Sequence, residues 1–115
     1  MKVTIYHNPR CSKSRQTLAL LEEKDIELEV IEYLKTPPDQ LTLSEILNKL
    51  DMNPTDLMRK GEPIYKKLNL SKESKDIQSL LDIMVENPIL IERPIILADG
   101  KAVIGRPPES IFDII

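Results

Sequence analysis

The chain has one cysteine, one histidine and three glycines in 115 residues. A single thiol excludes an internal disulfide and leaves too few soft ligands for a structural zinc site. No metal-ligand spacing and no glycine-rich phosphate loop are present, so no bound metal or nucleotide cofactor is expected. No apolar run approaches the ~20 residues that a membrane helix requires, and no membrane partner is expected. The opening residues lack the basic, apolar and small-residue pattern of a signal peptide, and a cytoplasmic protein is expected. Acidic residues outnumber basic ones, 19 to 16, for a formal net charge of −3. A phosphate-binding surface usually needs a basic excess, so no nucleic-acid partner is expected. No repeat or low-complexity stretch divides the chain, and its length predicts one domain, residues 1–115, with one modest core.

What is present reads as alternating strands and helices. Hydrophobic residues at 41% and charged residues at 30% suit a folded globule. The β-branched Val3, Thr4 and Ile5 predict a strand over residues 2–6, broken by Asn8-Pro9. Leu18, Leu20 and Leu21 lie in a helical stretch, residues 12–24. Alternation resumes over 27–30, where adjacent Val30 and Ile31 predict a strand partly buried on both faces. A strand–helix–strand crossover makes the two strands parallel. Beyond Thr36-Pro37-Pro38, Thr42 and Glu45 form a Thr-x-x-Glu capping box. Leu43, Ile46, Leu47 and Leu50 then share one helix face. Asn53-Pro54 predicts a short helix carrying Leu57, Met58 and Arg59. Ile77, Leu80, Leu81 and Met84 repeat the helical spacing until Asn87-Pro88. Asp99-Gly100 is a hairpin signal between strands at 95–98 and 102–104, and residues 109–115 read as a final helix. The order predicts an α/β fold: a four-stranded mixed sheet, βαβ then ββα, with a helical insertion between the second and third strands.

Cys11 falls where the loop after the first strand meets the first helix. Unpaired N–H groups at a helix start carry partial positive charge and favour a thiolate, the nucleophilic form. Arg10, Lys13 and Arg15 flank it and His7 is near in sequence. The three cations are expected to push the thiol the same way, and His7 to add either charge or a hydrogen bond. In Cys11-Ser12-Lys13-Ser14 the second position of a Cys-x-x-Cys pair is held by Ser14. An oxidised Cys11 must therefore be resolved by an outside thiol. Two roles stay open for Ser14: a hydrogen bond to the thiolate, or a helix cap. Arg15 gives Cys-x3-Arg, which does not fit the Cys-x5-Arg oxyanion loop of tyrosine phosphatases. Arg93 and Arg106 each precede a proline, which favours extended backbone. Guanidinium forks suit tetrahedral oxyanions. On the residues alone, each of Arg59, Arg93 and Arg106 is either a site residue or a solvated charge.

The segment from Ile5 to Arg15, Ile-Tyr-His-Asn-Pro-Arg-Cys-Ser-Lys-Ser-Arg, resembles the active-site motif of the ArsC family, the glutaredoxin-coupled arsenate reductases. The resemblance continues at Tyr33-Leu34, at Leu57-Met58-Arg59-Lys60, from Asn87 to Ile95, and at Gly105-Arg106-Pro107-Pro108-Glu109, so it covers essentially the whole chain. It implies a thioredoxin-like fold. It implies that Cys11 attacks arsenate, that glutathione displaces the arsenic as cosubstrate, and that glutaredoxin or a related thiol carrier reduces the mixed disulfide. Arg59, Arg93 and Arg106 match the family's oxyanion-binding arginines, and His7, Ser14 and Arg15 match residues that support the thiolate. Arg93-Pro94 resembles the proline beside the active cysteine of thioredoxin folds, and a cis bond is expected. Ser12-Lys13 stands where the efficient arsenate reductases have Gly-Thr, and Arg10 replaces a small residue. That form resembles a subgroup of the family. Two other readings are a monothiol oxidoreductase acting on mixed disulfides or another oxyanion, and a regulatory module like the Spx-type regulators that share the fold and bind RNA polymerase. Those regulators typically carry Cys-x-x-Cys, which Ser14 breaks.

Overall fold

The structure, a computed structural model, describes residues 1–70 and 76–115. The chain forms two compact units, one of Met1–Thr36 with Arg93–Ile115 and one of Pro37–Glu92. The second unit is the predicted helical insertion.

The first unit is built on a four-stranded mixed sheet of order β2-β1-β3-β4. The strands are β1 (Lys2–His7), β2 (Glu27–Glu32), β3 (Ile95–Ala98) and β4 (Lys101–Ile104). Helix α1 (Ser12–Glu22) carries the chain from β1 to β2, which pair in parallel from Lys2↔Glu27 to His7↔Glu32. β3 runs antiparallel to both β1 and β4. The β3–β4 turn is Asp99-Gly100 with φ values of 50° and 74°; both are positive, as a type I′ hairpin requires. This is the expected thioredoxin-like plan.

The core of this unit follows from the pleat. Val3 and Ile5 share a face of the central strand, and their partners Ala98 and Ile96 lie beside them. Leu21 from α1 and Ile111 from a closing 3-10 turn (Pro108–Asp113) complete the buried cluster. On α1 the buried residues are Ser14, Thr17 and Leu21, one stripe of the helix. The helix stops at Glu22, two residues short of the predicted end, with Lys24 N–H still bonding Leu21 O at 3.1 Å as a turn. The tail predicted as a helix over 109–115 is the 3-10 turn instead.

β2 is partly buried on both faces, as expected, because Leu28 and Ile31 lie on opposite faces and each is half-buried. Val30 itself is 45% exposed. Its place at the sheet edge explains this, because it has a neighbour on one side alone and the core under β1 stops short of Val30.

In the second unit, α2 (Gln40–Leu50) packs on α4 (Ile77–Glu86) through Leu43, Ile46, Leu47, Leu80, Leu81 and Met84. The α2 cap is Asp39, whose carboxylate accepts from Thr42 N–H at 2.8 Å. Thr42 thus lies inside the helix and the Thr42–Glu45 box does not form; Asp39, directly after Pro38, takes the capping position first. Pro54 opens a 3-10 turn, Pro54–Leu57, that ends before Met58 and Arg59. Those two residues extend instead: Met58 bridges Ile91, Arg59 N–H donates to Leu90 O at 2.7 Å, and Glu92 N–H to Leu57 O at 2.8 Å. A short helix α3 (Pro63–Lys67) again has proline in its first turn.

Leu21→Ala removes a side chain with no exposed surface and is expected to cost about 2–5 kcal/mol. Val30→Ala should change stability by about 0.5 kcal/mol or less. Urea midpoints of the two variants check this; an equal loss in both would remove the assigned core.

Candidate functional site

The site grows from the bend between β1 and α1. Cys11 N–H donates to Asn8 O at 3.0 Å, and Arg10 N–H to the Asn8 side-chain oxygen at 3.0 Å, so Asn8 shapes the loop from both its ends. Cys11 then occupies the N-cap of α1, in extended backbone (φ −94°, ψ 123°), and its carbonyl accepts the helix's first bond from Arg15 N–H at 3.0 Å. The thiol is the chain's one cysteine and is 9% exposed.

Ser14 takes neither of the two roles left open for its hydroxyl. The oxygen accepts from Asn8 N–H at 3.0 Å and shares a 2.6 Å hydrogen bond with His7 Nδ1. It ties the end of β1 and the loop to the first turn of α1, and what it offers Cys11 is its backbone N–H. His7 is buried, and burial holds its imidazole below the ordinary value; the Arg15 charge adds to this, while Glu32 and Glu22 pull the other way. His7 is therefore neutral at pH 7 and supports the loop by hydrogen bonding rather than by charge.

The second half of the site comes from the far end of the sequence. Arg106 Nη2 donates to Cys11 Sγ at 3.2 Å, and Arg106 Nε donates to Arg93 O at 2.8 Å. The Arg93 guanidinium also hydrogen-bonds the sulfur. Two guanidinium groups thus meet at one thiol. Arg93-Pro94 is cis, as expected; Arg106-Pro107 is cis as well, which the sequence reading did not anticipate.

A close approach sets this arrangement. A Cβ on Gly105 would stand 2.7 Å from Thr17 Oγ1 and 2.8 Å from Pro94 Cγ. No side chain fits, so only glycine lets the chain leaving β4 pass against α1 and deliver Arg106. Thr17, fully buried, shares its hydroxyl proton between Lys13 O (2.8 Å) and Gly105 O (3.3 Å). Gly105 N–H donates to Pro94 O at 2.9 Å. Thr17 was not singled out by the sequence reading, which took Asn8 as a strand breaker and Gly105 as part of the closing loop, without a place in the site for either.

The electrostatics differ from what neighbours in sequence suggest. Burial alone pushes the Cys11 thiol up. The Ser14 backbone N–H, the hydrogen bond from Arg93, and the charges of Arg93 and Arg106 outweigh it, and the net direction is down. Arg10 and Lys13 are exposed and do not figure in that balance. Arg15, also exposed, donates from Nη1 to Pro9 O at 3.0 Å and so braces the loop. Arg59 lies in the second unit, where its Nη1 pairs with Glu92 Oε1 at 2.9 Å. Among the described residues no group of three or more His, Cys, Asp and Glu is placed to hold a metal ion.

The thiolate is stabilised by donors that Arg106→Ala removes. That change should raise the pH midpoint of Cys11 alkylation by iodoacetamide and slow the reaction at pH 7, whereas Lys13→Ala should leave the midpoint in place. Equal shifts in both variants would return the credit to the local lysine.

Residues 6–114 match the model of the ArsC family. An uncharacterised Escherichia coli K12 protein, YfgD, is 54% identical over 115 residues, 99% of this chain and 97% of its own. An arsenate reductase of Neisseria meningitidis serogroup A is 49% identical over 111 residues, 96% of this chain and 95% of its own. The structure of an arsenate reductase from Vibrio cholerae is similar at a TM-score of 0.95 and 46% identity, over 100% of this chain and 98% of that one. With the family model matched from Tyr6 almost to the last residue, the chain belongs to the ArsC family.

Proposed function

We propose that the protein is an arsenate reductase that uses Cys11 as its nucleophile, glutathione as cosubstrate, and glutaredoxin or a related thiol carrier to complete the cycle, with no bound cofactor. The observation that carries this reading is the pair of arginines at a thiol whose protonation they disfavour: Arg106 Nη2 stands 3.2 Å from Cys11 Sγ, with Arg93 beside it. Such a site holds the nucleophile and presents guanidinium donors to the oxygens of the anion it attacks.

The electron count is closed by an outside thiol. The Cys11 thiolate attacks arsenic(V), an arsenate oxygen leaves as water, and a sulfur–arsenic bond forms. A second thiolate then attacks the Cys11 sulfur. The sulfur–sulfur bond forms as the sulfur–arsenic bond breaks, and its electron pair stays on arsenic, now arsenic(III). Each sulfur has given one electron, and thiol–disulfide exchange returns Cys11. His7, Ser14 and Arg15 serve as supports of the loop that presents the sulfur. For Arg59 the assignment rests on the family resemblance alone. A reducing cytoplasm suits a protein whose work depends on one free thiol.

Cys11→Ser should abolish arsenate-dependent NADPH oxidation in the presence of glutathione, glutaredoxin and glutathione reductase. Arg93→Ala should raise the KM for arsenate by about ten- to a hundredfold, the value of a lost hydrogen bond to a charged group. Turnover that survives in Cys11→Ser would sink the nucleophile assignment, and an unchanged arsenate KM would remove Arg93. Arg59→Ala in the same assay tests the third arginine, for which a raised KM is expected.

A further inference from the structure

Arg10 is the cation nearest Cys11 in sequence, yet it takes no part in lowering the thiol. Its backbone N–H is held by Asn8, but its guanidinium has no hydrogen-bond or ion-pair partner among the described residues. It lines a groove of about 230 Å³ with His7, Asn8, Pro9, Glu32, Leu34 and Lys35. The groove opens at the carboxyl ends of the parallel pair β1 and β2, whose last register pair is His7↔Glu32. Ligands of α/β sheets favour such crevices.

We infer that this groove receives the outside thiol: one carboxylate-bearing arm of a small thiol peptide of the glutathione class. Pro9 and Leu34 supply an apolar lining. Arg10 and Lys35 give it two cations against one carboxylate, Glu32, with His7 neutral. Glu32 is loosely engaged by Lys35, at 3.6 Å with side chains 42% and 79% exposed, an ion pair that a ligand carboxylate readily replaces. Glutathione, with two carboxylates and one ammonium, is a net anion that complements this rim. The volume is below the ~300 Å³ at which sites for whole drug-sized molecules begin, so the groove takes an arm and leaves the thiol free to reach the adjoining loop. Its lining includes none of Cys11, Arg93 and Arg106 and reaches as far as Arg10, the residue before the thiol, so the groove is separate from the place of the anion.

The inference deepens the proposed function and rests on its reading of Cys11 as a nucleophile served by an outside thiol. It is tested without arsenate, so that the two can fail separately. The reaction measured is attack of the Cys11 thiolate on a disulfide, which forms a mixed disulfide and expels one thiolate. Rates with glutathione disulfide are divided by rates with the uncharged 2-hydroxyethyl disulfide, a ratio that cancels any change in the thiol itself. Wild-type protein should favour glutathione disulfide, with the preference falling as salt rises. Arg10→Gln/Lys35→Gln should lower the ratio by about 2- to 25-fold, the combined effect of two exposed charges. No preference in the wild type, or a preference unchanged in the double variant, would overturn the groove assignment. Loss of the preference in the double variant upholds it even if arsenate turnover is absent, a result that would count against the arsenate reading instead.

Discussion

The contact on which the site depends is the passage of Gly105 against Thr17 and Pro94, at a separation that excludes even a methyl group. A chain that left β4 further from α1 would take Arg106 away from the sulfur. The hydrogen bonds around this contact all act in one direction. Thr17 holds Gly105 O, Gly105 holds Pro94 O, and Arg106 holds Arg93 O. The two arginines are therefore locked to each other through backbone as well as through the thiol they share.

At the thiol, opposing effects meet and their order decides the chemistry. Burial is the largest single influence and favours the neutral thiol. Hydrogen bonds from Ser14 N–H and Arg93, with the charges of Arg93 and Arg106, together exceed it. The helix start contributes through a specific N–H rather than as a diffuse field, and the nearby exposed cations contribute little because water screens them. A thiol lowered this way is held toward its thiolate form while it stays buried.

Much of the fold was legible because several signals agreed. The β-branched run in β1, the crossover to β2 and Asp99-Gly100 each fixed an element that the packing then accepted. The misses have physical causes. Val30 reads as buried because it is β-branched and follows Glu29, but its exposure depends on its rank in the sheet, which no local pattern encodes. Thr42 and Glu45 satisfy a capping rule, and Asp39 satisfies a stronger one a few residues earlier. At the site, Cys11 and its helix-start position were readable from the sequence. The role of Ser14 was not, because a serine hydroxyl goes to whichever donors and acceptors the fold brings near, here Asn8 and His7. The sources of thiolate stabilisation were misread for a related reason: Arg10 and Lys13 are close along the chain, whereas Arg93 and Arg106 are close in space.

That last distance has a consequence for the protein's birth. Cys11 and Arg106 are separated by 95 positions, and the insertion lies between them. On a ribosome the thiol emerges early. An isolated helix of 11 residues, the length of α1, is marginal in water. Until the closing hairpin has been synthesised and docked, Cys11 has neither of its arginines and only a fleeting helix start. The unfinished chain thus carries a thiol without its guanidinium donors, and it gains them in the same step that completes its sheet.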